Sequence, residues 1–546
     1  MDKLFPKKEE GIMEKKRDFT EQTRREFLHL SAVGMAGLAL AGISRAGHTE
    51  ERKPKYGGRL RAGNAWASAG LDAHKNQDFA DYTNYCLMYG GLTEIGKVPQ
   101  VEIHPMLAKS WEISQDGREY VFSLREGIKF HHGKELDSGD VKYSIERVLN
   151  PATRSPRAFA LRWIDSVSTI DKYNLKIKLK EPFGPLLNNL TIFNCAIIPA
   201  GWEPTGTKPA PGTGPYFVKS FVPNETIEFS RFDQYWEFHE QTGDRLPYLQ
   251  TIYGKKIVDE TVRWTAFRAG ELDSCYAPPI SVLAKALSEK ALPRMHMDYE
   301  MLGCNGIWIN VSKPPFHDKR VRQALAYAID KKKVLEGVFW GLGETVNNQP
   351  FLNRSRLYIP VMDRDPDMAK AKKLLAEAGY PQGFKTEILA YHLKFDVDTA
   401  EVVSGQLQKI GIEATIRVID RAAFFPLLRK GDFSLASRGV DERFDWDDAY
   451  YMYFHSNEIG KNNFPRYSTP ELDLLLQKGR TLWKPEDRKQ VYKEVVEIIK
   501  DDVPILYLYK SIVGYAFQDY VKGFRKGFAT RYAWHGGGAK YWWIDK

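Results

Sequence analysis

Hydrophobic positions along the chain change period several times, and each change predicts an element. Trp111, Ile113, Tyr120, Phe122 and Leu124 alternate with polar residues on both sides of Asp116-Gly117, a period of two broken by a turn, which predicts a β-hairpin. Val141, Ile145, Val148 and Leu149 then share one helical face. Ser138 is placed to cap that helix and Asn150-Pro151 to end it. Leu175, Ile177 and Leu179 alternate with Lys176, Lys178 and Lys180, a strand with one solvated face. Residues 199–215, rich in Pro, Gly and Thr, predict a connection between domains. Strand-like runs follow at 226–229 and 252–258.

From about residue 301 the pattern becomes regular α/β. Asp318 precedes a helix with Val321, Leu325, Ala328 and Ile329 inward, and Asp365-Pro366 opens another that ends at Gly379. Phe384, Thr386, Ile388 and Ala390 alternate. A helix through Val402, Val403, Leu407 and Ile410 closes at Gly411, and Ile412, Ala414, Ile416 and Val418 alternate again. That is a βαβ unit, so its strands pair in parallel, and ligands of such sheets bind outside the strands' carboxyl ends. Another strand of this sheet begins near Phe433. Thr469-Pro470 and Pro485 start two more helices, and strand-like aromatics fill the tail.

Composition adds limits. The 546 residues are 43% hydrophobic and 27% charged, enough for two or three domains with real cores. The net charge of +9 has no basic block of the kind that tracks phosphates, which argues against nucleic-acid binding. Near the start, Arg24-Arg25 precede Phe27-Leu28 and an apolar run from Leu30 to Ile43, ending at Ser44-Arg45-Ala46. Paired arginines before an apolar run and a small-x-small end predict a twin-arginine export signal over residues 1–46. With no cysteine in or just after the run, no lipid anchor is expected, and the chain reads as periplasmic. Cys86, Cys195, Cys275 and Cys304 lack any CxxC spacing, so buried free thiols are expected rather than a zinc site.

The candidate chemistry concentrates after Gly431. Asp441, Glu442, Asp445, Asp447 and Asp448 stand among Trp446, Tyr450, Tyr451, Tyr453 and Phe454. Acids crowded against aromatics need a balancing charge or water. Arg438, Arg443 or a bound cation are the balances within reach of the sequence. A calcium loop, a catalytic carboxylate pair and one wall of a ligand cleft compete. The glycine and trailing glutamate of a calcium loop are missing, and no G-x-S-x-G, H-E-x-x-H or phosphate-loop motif is present. His131-His132 reads as a pair of turn histidines rather than metal ligands. No cofactor, metal site or catalytic residue is expected.

Five ordered motifs carry a resemblance. They are LAKSWEISQDGREYVFSLREGIKFHHGKELDSGDVKYSIERVLNP (107–151), GTGPYFVKSF (212–221), PPFHDKRVRQALAYAIDKKKVLEGVFWGLGE (314–344), DRDPDMAKAKKLLAEAGY (363–380) and YSTPELDLLLQKGRTLWKPEDRKQVYKEVVEIIKDDVPILYLY (467–509). Together they resemble the family 5 extracellular solute-binding proteins of ABC importers. The resemblance implies an α/β, two-lobed Venus-flytrap fold of a periplasmic binding protein, with an additional domain inserted in the first lobe. Lobe one would comprise 47–95, 212–300 and 510–546 with 96–211 inserted, and lobe two 301–509. The implied function is a monomeric receptor, not an enzyme, that captures a peptide or other small solute and delivers it to the permease of an ABC transporter, after export by the Tat machinery.

In peptide-binding members an aspartate after a Gly-Trp strand end pairs with the ligand's α-amine. Here Asp445 beside Trp446 is the nearest match, after Gly439, with Val440 where Trp is usual. Arg438 and Arg443 are the rivals, for a ligand carboxylate. Asn64, Ala65 and Trp66, at the end of the first strand, are the expected contacts from lobe one. A non-peptide ligand (an oligosaccharide, an opine-like conjugate or a metal chelate) is the alternative within the fold. A secreted hydrolase using the acids of 441–448 is the alternative outside it.

Overall fold

Two unusually long strands organise the molecule. The computed structural model describes residues 53–76, 79–96, 101–288, 295–440, 444–524 and 538–546, so the predicted export segment lies outside the described residues. Eleven strands make one mixed sheet: β1 (Arg59–Asn64), β2 (Tyr216–Val222), β3 (Thr226–Arg231), β4 (Thr251–Lys256), β5 (Ser274–Tyr276), β6 (Met295–Ile309), β7 (Gly343–Thr345), β8 (Phe384–Tyr391), β9 (Ile412–Ile419), β10 (Leu435–Ser437) and β11 (Ile505–Gln518). Their order across the sheet is β9-β8-β10-β6-β11-β5-β1-β4-β3-β2, with β7 on β11.

β6 and β11 have 15 and 14 residues, against a usual strand of about 5–6. They pair antiparallel along most of their length. One end of β11 pairs β5, at Tyr515–Phe517, while Ile307–Ile309 of β6, at the opposite end of the ladder, pair β10. The two strands thus carry β5 at one end of their ladder and β10 at the other. Between those ends the register slips, between Met301 and Cys304 and again between Asn305 and Gly306. Such bulges bend and twist a ladder locally. Gly306 is required here, because a Cβ would lie 2.5 Å from the Leu506 carbonyl oxygen.

The βαβ unit folds as its pattern predicts. β8 and β9 pair in parallel in a continuous register from Phe384↔Ile412 to Tyr391↔Ile419, and β10 joins β8 in parallel. The hairpin also forms, with Ile113 opposite Tyr120, inside a separate four-stranded antiparallel sheet spanning residues 108–179. Two helix starts differ from the sequence expectation. Asp137, not Ser138, caps the helix Ser138–Leu149, in a reciprocal capping box with Asp140. Asp367, two residues after Asp365-Pro366, caps the helix Met368–Glu377.

The Pro/Gly connection before β2 is packed rather than loose. Gly212 and Gly214 press on the backbone at the end of helix α1 (Phe79–Met88), where any Cβ would collide with Met88. His131 grips the same stretch: the Gly212 N–H donates to its Nδ1 at 3.1 Å, and its Nε2 meets the Gly214 carbonyl at 3.0 Å. This is the neutral tautomer, and burial pushes its pKa down to about 4. All four cysteines are buried, and none forms a disulfide. Burial pushes the Cys195 and Cys275 thiols up to about 12 and about 11. Among the described residues no helix is long and apolar enough to cross a membrane.

Candidate functional site

Parallel strands of both lobes send their carboxyl ends toward one region. In lobe one these ends carry Asn64, Ala65 and Trp66 after β1, and Tyr276 at the end of β5. In lobe two they carry Tyr391 and His392 after β8, and Arg438 and Gly439 after β10. The helices that follow start beside them. Lys394, at the start of α3 (Lys394–Leu407) in lobe two, has its pKa raised mainly by its hydrogen bond to Asp398. Glu260, at the start of helix α2 (Glu260–Arg268) in lobe one, adds to that shift.

The lobe-one wall is aromatic. Trp66 is 42% exposed and tilts over Tyr276 with ring centroids 5.5 Å apart, and Tyr276 meets Tyr515 of β11 edge-on at 5.1 Å. Asn64 is half-buried beside them. Its side-chain amide has no hydrogen-bond partner among the described residues.

The lobe-two wall is anchored to β6. The Arg438 carbonyl accepts from the Trp308 indole at 2.8 Å, and the Val440 N–H donates to the Cys304 carbonyl at 2.7 Å. Gly439 lies so close to β6 that a Cβ would sit 2.9 Å from both the Asn305 Oδ1 and the Cys304 carbonyl oxygen, which explains the glycine. The Arg438 guanidinium lies over the Tyr391 ring at 5.1 Å and 3.9 Å from the Asp396 carboxylate, with about a fifth of the side chain still exposed.

Asp445 stands elsewhere. It caps α4 (Trp446–Phe454), accepting from the Asp447 N–H at 2.8 Å, and is 2% exposed. Arg488, on α6 (Pro485–Asp502), holds both its oxygens at 2.7 and 2.5 Å. Burial pushes the carboxyl up, and the bidentate guanidinium outweighs that, so its pKa ends below the usual carboxylate range. Asp447 is held the same way by Arg480 of α5 (Pro470–Thr481), with two contacts of 2.8 Å. Trp446 is equally enclosed: it is 2% exposed, stacks on Tyr492 and donates to the Leu357 carbonyl at 2.7 Å.

Asp445 and Asp447 are thus balanced by arginines 43 and 33 residues along the chain, while the Asp448 carboxylate accepts from the Asn188 amide at 3.4 Å. Asp445, expected from the sequence as a ligand's ion partner, is instead seen paired with Arg488. Both of its oxygens are committed inside the protein. Arg443, with Asp441 and Glu442, lies outside the described residues. No group of three or more His, Cys, Asp or Glu placed to hold a metal occurs among the described residues.

Sequence reasoning missed Tyr276, Tyr515, Tyr391 and Asp396. The strand-end rule could have found Tyr391, the last residue of a strand already assigned. Nothing local marks the other three.

Comparison with known proteins places these walls in context. The model of the bacterial extracellular solute-binding proteins, family 5 (middle region), matches residues 102–462. Heme-binding protein A of Haemophilus influenzae is 28% identical over 471 residues, covering 80% of this chain and 84% of that protein. The glutathione-binding protein GsiB of Pectobacterium atrosepticum is 29% identical over 471 residues, covering 80% and 86%. Among solved structures, the periplasmic binding protein DppA of Helicobacter pylori in complex with the peptide STSA superposes with a TM-score of 0.74. It is 25% identical, and the match covers 90% of this chain and 99% of that one.

Proposed function

The chain belongs to the bacterial extracellular solute-binding proteins of family 5, and from that premise we propose that it captures a peptide or peptide-like solute between its lobes and delivers it to the permease of an ABC importer. The observation that carries this is the meeting of two sets of strand carboxyl ends about β6 and β11. A ligand touching both walls favours the closed arrangement by its differential contacts alone. Arg438 is the candidate partner for a ligand carboxylate. Trp66 and Tyr276 offer faces for stacking, and the Asn64 amide offers hydrogen bonds to a peptide backbone. Lobe one as residues 47–95, 212–300 and 510–546 and lobe two as 301–509 complete the proposal, as does delivery to the periplasm by a twin-arginine signal over 1–46.

The test is native mass spectrometry of the purified protein to identify a co-purifying solute, followed by calorimetry with tripeptides. One saturable site per chain, with closure seen as a smaller radius of gyration in solution scattering, is the expected result. Release of cleaved peptide, or no saturable binding of any tripeptide, overturns it.

A further inference from the structure

The lobe-one wall contains a cavity whose cause is visible in the strand register. On one face of the sheet, Ile227, Gly254, Ala62, Ser274 and Phe517 lie side by side in a single row across β3, β4, β1, β5 and β11. The three central members are the small ones. The row nearer the start of β1 is large, with Phe229, Ile252 and Leu60. On the side of the carboxyl ends stand Asn64, Tyr276 and Tyr515.

Three strands that place their smallest side chains together leave a hollow, because α1 above it rests on the larger neighbours. Its roof is Thr83, Asn84 and Leu87 of α1, with Ala539 and Trp542. The cavity measures about 80 Å³. It communicates with solvent, since Ala62 on its floor is half-exposed. Interiors are otherwise close-packed, and an unfilled apolar hollow is costly.

Two polar groups bear on what fills it. Trp542 is 7% exposed, and its indole N–H has no acceptor among the described residues. The Asn64 amide is likewise without a partner and stands at the end nearest the cleft. The Asn84 amide, by contrast, is already used, donating to the Ser68 hydroxyl at 2.7 Å. Polar atoms are therefore offered at the mouth, at the roof and by the Ser274 hydroxyl on the floor, and carbon elsewhere along the row.

We propose that this cavity is a specificity subsite that receives one aliphatic side chain of the bound solute, of valine or leucine size, while the solute's polar backbone remains at Asn64. The inference rests on the peptide-receptor reading above and narrows it. Size sets the class: a cavity of roughly 150 Å³ accommodates benzene, so one of about 80 Å³ takes a branched aliphatic group and excludes a phenyl ring.

The test is calorimetry of the purified protein against trialanine and its six derivatives in which each position in turn is leucine or phenylalanine. At one position leucine should bind roughly 50-fold more tightly than alanine, the scale of burying three more carbons, and phenylalanine should lose that gain. Ala62→Val and Ser274→Val, each filling the row from a different strand, should both collapse the leucine-to-alanine ratio toward one. Their melting temperatures, measured in parallel, show that they fold. A leucine preference that survives both substitutions, or phenylalanine bound as tightly as leucine, overturns the subsite and leaves the receptor standing. Failure of every tripeptide to bind overturns both.

Discussion

Asp445 and Asp447 sit at the start of α4 among tryptophan and tyrosine rings, and each has a guanidinium on both oxygens. Asn64 sits at the end of β1 among the rings of Trp66, Tyr276 and Tyr515, and its amide has no hydrogen-bond partner among the described residues. Both regions mix aromatic rings with polar groups, and at the level of sequence the first looks far more like a binding site. The difference lies in completion. At the start of α4 both of these carboxylates are matched from within the chain, so neither is left for a ligand. At the end of β1 the backbone is fixed by its sheet while side-chain valences and volume remain open. Chemical richness marks places where a protein had a problem to solve, and only incomplete solutions leave room for a guest.

The largest effect should come from breaking the sealed side. Asp445→Ala leaves Arg488 buried without its counter-ion and should lower unfolding free energy by ~3–5 kcal/mol, read by urea denaturation. Affinity measured well below the melting temperature should hardly change. A variant that melts normally but has lost its ligand would return Asp445 to the site.

A second sealed point, His131, should show itself through pH. Its folded pKa is pushed down to about 4 from an unfolded value near 6.5. The stability it contributes is fully present above pH ~6.5 and is lost as pH falls toward about 4. Unfolding free energies from urea curves at pH 7.5 and 4.5 should differ by on the order of 2 kcal/mol from this group, and His131→Gln should flatten that slope.

On the open side the losses should appear in binding. Arg438→Gln should weaken a peptide with a free C-terminal carboxylate ~10-fold and its C-terminal amide hardly at all, if the guanidinium receives the carboxylate. Equal losses for both would assign Arg438 to holding Tyr391 and Asp396 in place. The smallest effect is Trp66→Ala. With 42% of Trp66 exposed, stability should move by less than ~0.5 kcal/mol, while affinity for a ligand stacked on the ring should drop ~3- to 10-fold.

What could be read from the sequence divides along the same line. The 111–124 hairpin and the 384–419 βαβ unit were legible because each buries one face, so their periodicity survives. β11 was not. Ten of the first ten residues of β11 are buried, and a strand enclosed on both faces has no alternation to detect. The partners of Asp445 and Asp447 were hidden because opposite charge has no sequence spacing once it is satisfied between helices. The nearby Arg438 was the natural guess, and it points to another wall. The cavity was the least legible of all. Ala62, Gly254 and Ser274 are unremarkable small residues until the register of three strands sets them in one row.

The four buried thiols, none of them in a disulfide, have a consequence for the protein's itinerary. Nothing in the described fold waits for oxidation: no disulfide closes a loop among the described residues, and the Cys195 and Cys275 thiols, pushed up by burial, react slowly with oxidants. The chain can therefore reach its final packing in a reducing cytoplasm and keep it in an oxidising periplasm. The packing of the described residues needs no disulfide catalyst.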